Sequence, residues 1–195
     1  MSTTLLRKTV LGVAGLAFAG GVVAGPVAGA VDAAPAHAAP VAVQADKPDT
    51  GKLLPHGTPG GQSSIPLNAE QTANAKAIVK ATKKAGMDER AAVVAIATSL
   101  QESKLENLGH LGDRNDHDSQ GLFQQRPSSG WGTVEQITDP EYSTTAFLKG
   151  LKQVDGWQDM PLTQAAQKVQ VSAYPDHYAQ WEKQAADLVA AHWNS

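Results

Sequence analysis

Glu102 closes an apolar run of helical spacing. It is followed by a loop dense in aspartate, glycine and histidine, and then by the block Gly121-Leu122-Phe123-Gln124-Gln125. A carboxyl group placed in this way suits general acid catalysis on an acetal, whose poor leaving oxygen must receive a proton as its bond to carbon breaks. The position contributes to the chemistry. Near a helix C-terminus the unsatisfied carbonyls carry partial negative charge, which disfavours the carboxylate and favours the proton-holding form, and partial burial acts in the same direction. The competing reading of Glu102 is a solvated glutamate on the outer side of a helix.

A second carboxylate would decide what completes such a reaction. Asp113, Asp116 and Asp118 all lie in the loop after Glu102. Any of them could stabilise an oxocarbenium ion or hold a water. They equally suit a loop organised by Asx turns or by pairing with Arg114. Asp116-x-Asp118-x-Gln120-Gly121 looks like the first half of a calcium loop, but its twelfth position is Pro127 where a bidentate glutamate is required. His110 and His117 lack zinc spacing. No metal or cofactor is therefore expected. Trp131, between Gly130 and Gly132, is the aromatic best placed to stack on a sugar face, with core packing as its alternative. Gln125 and Arg126 read as solvated, and Leu122 and Phe123 as core.

The elements that must position these residues are helices. Asn68 with Gln71 reads as a capping box opening a helix that stops at Gly86. Asp88 reads as the N-cap of the next helix, which carries Val93, Ile96, Ala97 and Leu100 on one stripe. Ala91, Ala95, Thr98 and Glu102 share its opposite side, small enough to admit a close neighbour or a groove. Thr133 with Gln136 repeats the capping box. Asp139-Pro140 opens a helix through Phe147 and Leu151. A helix spans 162–171, and a last one begins near Asp176 and presents Tyr178, Trp181, Ala185, Leu188 and Val189. The expected fold is mainly α, with an elaborate loop or a short hairpin between Gly109 and Gly121.

Ahead of this domain stands an address. Arg7 and Lys8 precede a short apolar run, and Ala36-His37-Ala38 forms a cleavage site, with Ala28-Gly29-Ala30 as an alternative. Residues 1–38 thus read as a secretory signal peptide, with an uncleaved N-terminal anchor as the alternative. Secretion by the general route is expected, and no stable membrane span after its removal. Residues 39–67, rich in proline and glycine, read as a flexible linker. Residues 68–195, about 130 of them, are enough for one self-sufficient domain. The chain has no cysteine, so its stability must come from its core. A net charge of −3 without a basic stripe argues against nucleic acid as a partner.

Gln101-Glu102-Ser103 followed by Gly121-Leu122-Phe123-Gln124 resembles the E-S … G-L-x-Q pattern of lytic transglycosylases and related lysozyme-like proteins. Gln170-Val171-Ser172-Ala173-Tyr174 resembles the region of that family's A-Y-N motif, with Pro175 in place of the asparagine. The blocks occur in the family's order, and the resemblance covers most of the span from Asn68 to Trp193. It implies a lysozyme-like helical fold and cleavage of the β-1,4 bond between N-acetylmuramic acid and N-acetylglucosamine in peptidoglycan glycan strands. Glu102 would be the acid and then the base. Gln124 would face the groove and bond N-acetyl groups, Gly121 would let the backbone pass close to the sugar, and Tyr174 would hydrogen-bond the glutamate. Both a transglycosylase and a muramidase fit, and a glycan-binding module without catalysis is the alternative from another class.

Overall fold

The computed structural model describes residues 49–112 and 117–195. The signal-peptide reading of 1–38, the first part of the linker, and Asp113 and Asp116 lie outside the described residues. The described part is mainly helical, and it belongs to one compact unit.

Each capped helix starts where its capping residue stands. Helix α1 is Thr50–Leu53 and α2 is Ala69–Lys84. Asn68 accepts from the Gln71 amide while the Gln71 side chain accepts from the Asn68 amide, so two orphan donors are satisfied reciprocally. Gly86, at φ 65°, reverses the chain after α2. Asp88 caps α3, Glu89–Ser103. Thr133 caps the short α4, Val134–Ile137, and Asp139 caps α5, Pro140–Lys152, with proline at its first position. Helix α6 is Leu162–Gln170. A 3₁₀ turn, His177–Trp181, then leads into α7, Glu182–His192.

Helix α3 is the axis of the domain. Every residue from Arg90 to Leu100 is buried, so the expected single stripe is in fact a helix wrapped on all sides by α2, α5, α6, α7 and the 177–181 turn. The small side chains Ala91, Ala95 and Thr98 are part of this core and line no groove. Each large apolar side chain so buried contributes about 1.5–3 kcal/mol relative to exposure. Among the described residues one buried ion pair stands out, joining Arg90 of α3 to Glu182 of α7 at 2.7 Å, and Arg90 also donates to the Leu53 carbonyl.

The boundary of the folded domain lies earlier than Asn68. Residues 49–67, expected to be linker, include α1, whose Leu53 is buried in the core. Beyond it the chain is bound to the 177–181 turn and to the start of α7. Ser63 N–H donates to the Gln180 carbonyl, and the Gln184 side chain both accepts from Ile65 N–H and donates to its carbonyl. Proline and glycine suppress regular structure there, but glutamine amides replace the missing ladder partners and hold the backbone in place.

Candidate functional site

Helix α3 ends in a turn built to carry Glu102. Lys104 and Leu105 both adopt left-handed backbone (φ 57° and 63°), uncommon for residues other than glycine. Side chains of α2 hold them there: Gln71 Nε2 donates to the Lys104 carbonyl at 2.9 Å and Asn74 Nδ2 to the Leu105 carbonyl at 2.8 Å. Ser103, the serine after the glutamate, donates through Oγ to the Leu122 carbonyl at 2.8 Å. That bond ties the two motif blocks together across 19 positions. Lys104 Nζ folds back onto the carbonyls of Leu100 and Gln101 and lies 4.6 Å from the Trp181 ring centroid. Lys104 thus sets a cation against the partial negative charge of the helix end. Burial lowers the Lys104 ammonium from its usual range, against the opposing pull of Glu102.

Half-buried Glu102 is gripped from the side by Tyr178. The Tyr178 hydroxyl donates to Glu102 Oε1 at 2.7 Å. Tyr178 itself is 0% exposed. Burial first, then the Glu102 charge, pushes its phenol far above the usual tyrosine range, so it remains a hydrogen-bond donor. The Ser172 side chain bonds the same phenol. The turn bearing Tyr178 is anchored to α3 one residue away, since Gln101 Oε1 accepts from Trp181 Nε1 at 2.8 Å and from Gln180 Nε2 at 3.1 Å. A neutral phenol can donate to a carboxyl oxygen whether or not the group carries its proton. Glu102 therefore keeps one orientation through a proton transfer.

The opposite wall comes from the Gly121–Gln125 block. Gln120 and Gln125 form a single antiparallel bridge, the only trace of the expected hairpin among the described residues. Leu122 and Phe123 point into the core, with Phe123 stacked on Phe147 at 5.0 Å. Gln124, at φ 47°, is turned outward and donates to the Gly121 carbonyl. Together with Glu102, Arg126, Trp131, Ser172 and Tyr174 it lines a polar groove of about 770 Å³. Glu102 is the only carboxylate among the described residues that line it. Comparison with protein-family models and with curated proteins returns no match. The function must therefore be argued from this groove.

Five sequence assignments change. Tyr174 does not hold the glutamate: it is 63% exposed, stacks on His177 and stands on the groove rim, while the partner is Tyr178, which the sequence reading placed only on the last helix. Gly121 does not face the groove. It is buried, and a Cβ on it would lie 2.0 Å from the Ile137 carbonyl oxygen, so glycine is required by the close pass of α4 as well as by φ 77°. Asp118 does not line the groove, because both its oxygens accept from Ser128, at the amide and the hydroxyl. These bonds hold its carboxyl below the usual range and make it an organiser of the loop. Gln125, read as solvated, is buried and donates to the Ser143 carbonyl, and half-buried Arg126 donates to Ser119 Oγ.

The sequence did contain a signal for Tyr178. It begins the buried stripe of Trp181, Ala185 and Val189, and a tyrosine whose ring is inside the core needs a partner for its hydroxyl. Gln170, another residue missed, donates to the Phe123 carbonyl at 2.8 Å and joins α6 to the groove wall.

Proposed function

We propose that this protein cleaves the β-1,4 glycosidic bond between N-acetylmuramic acid and N-acetylglucosamine in peptidoglycan, from a lysozyme-like domain secreted behind its N-terminal address. The observation that carries the reading is the Glu102 carboxyl held at 2.7 Å by buried Tyr178 on the wall of a polar groove. Glu102 delivers its proton to the glycosidic oxygen as the bond from that oxygen to C1 breaks, which leaves an oxocarbenium-like sugar. The resulting carboxylate then takes a proton from the nucleophile. If that nucleophile is the sugar's own 6-hydroxyl, O6 bonds to C1 and a 1,6-anhydro end forms; if it is water, a reducing end forms. Tyr178 supports both halves, because its donation survives the change of charge. Gln124 and the rim around Trp131 and Tyr174 supply amide and aromatic contacts suited to N-acetylated sugars.

The test is digestion of insoluble peptidoglycan by the purified protein, with mass spectrometry of the soluble products. Release of muropeptides, lost in Glu102→Gln, is the expected result, and the mass of the ends identifies the nucleophile. Binding to the insoluble wall without release would overturn the reading in favour of a glycan-binding module.

A further inference from the structure

Next to the groove lies a second cavity of about 490 Å³. Trp131 lines both. Helices α5 and α6 also pack closely between the two linings: Gly150 of α5 lines the second cavity, Val169 of α6 lines the groove, and a Cβ on Gly150 would approach Val169 Cγ1 to 2.9 Å. The two cavities differ in chemistry. The groove carries Glu102 and Arg126 among amides and hydroxyls. The second cavity is more apolar, walled by Trp131, Tyr142 and Ala146, with Thr145 and Gln153 as neutral polar groups. Lys149 is the only charged residue among those that line it.

A site with aromatic walls and one ammonium, one tryptophan away from a glycan groove, suits a short acidic chain that branches off the glycan. We infer that the second cavity receives the peptide stem attached to the muramic acid, with Lys149 pairing with a stem carboxylate. This inference rests on the glycan-cleaving reading for its choice of substrate. It adds that the enzyme acts on stem-bearing strands and that Trp131 divides the two branches of the substrate. Stacking of a further N-acetylglucosamine on Trp131 and Tyr142 is the competing occupant; being neutral, it would leave the exposed Lys149 ammonium in solvent, whereas a stem carboxylate would pair with it.

The probe is N-acetyl-L-alanyl-γ-D-glutamyl-L-lysine, titrated into the full protein and followed by amide NMR. Saturable shifts should appear at Trp131, Tyr142, Thr145, Lys149 and Gln153, and Lys149→Glu should weaken binding by about threefold or more. Saturable shifts confined to Glu102, Gln124 and Ser172, or no saturation, would overturn the inference. A second measurement compares the affinity of one tetrasaccharide with and without its stems. The stemmed form should bind more tightly, and the ratio should fall in Lys149→Glu; equal affinities in the unaltered protein would overturn it. The two readings fail separately. Muropeptide release without peptide binding at Lys149 removes this inference alone, whereas peptide binding there without release removes the cleavage reading alone.

Discussion

The two ends of α3 make hydrogen bonds of the same length for opposite purposes. At the N-terminal end Arg90 meets Glu182 at 2.7 Å with both side chains almost inaccessible, and at the C-terminal end Glu102 meets Tyr178 at 2.7 Å beside an open groove. The first contact joins opposite charges, so neither partner can change charge without leaving the other unmatched in the core. The second joins a carboxyl to a neutral donor, which tolerates a proton arriving or leaving. A carboxyl group is made structural or chemically usable by its partner and its access to solvent, not by the length of its hydrogen bond. The rigid end also serves the other: α3 and α7 clamped together at Arg90–Glu182 carry the turn from which Tyr178 reaches Glu102.

Substitutions at the two ends should therefore separate activity from stability. The largest effect is expected from Glu102→Gln, a fall in muropeptide release of about 10²–10⁴-fold with a urea midpoint close to that of the unaltered protein. A large loss of stability instead would mean that Glu102 resembles Glu182 and would erase the contrast. Glu182→Gln leaves the Arg90 charge buried without its partner and should cost about 3–5 kcal/mol in equilibrium urea unfolding. Replacing both partners, as Arg90→Met with Glu182→Leu, should recover much of that loss, because the penalty comes from the unmatched charge.

Tyr178→Phe sharpens the comparison at a smaller scale. Removing the phenol oxygen should cost about 1–2 kcal/mol of stability, since its hydrogen bonds with Glu102 and Ser172 are lost, and should slow release by about tenfold and alter its pH profile as Glu102 loses its fixed orientation. A stability loss with an unchanged pH profile would make the phenol a packing contact. The smallest effect concerns Asp118. Its carboxyl is depressed in the folded state by Ser128, so its contribution is present above the ordinary carboxylate range and is lost only as pH falls through its own lower value. The Ser128 amide resonance should hold its position at neutral pH and move in acid below that range.

Helix starts were legible in the sequence because capping is local. Asn68, Asp88, Thr133 and Asp139 each bond an amide three residues on, so their spacing already contains the answer. The Glu102 position and the core assignment of Leu122 and Phe123 were legible for a similar reason, through periodicity and motif. Composition misled at residues 49–67, where proline and glycine suggested a free linker but the polar backbone finds partners on α7.

What the sequence alone determined is a mostly helical domain whose one well-placed glutamate ends a helix, since capping pairs, apolar periodicity and chain breakers act within a few residues. Only the tertiary structure decided that Tyr178 rather than Tyr174 holds that glutamate, that Gly121 serves α4 rather than a sugar, and that Asp118 belongs to Ser128. Those contacts join residues far apart in the chain or depend on which way a side chain turns. They exist only once packing around α3 has brought its two ends against the same turn and helix.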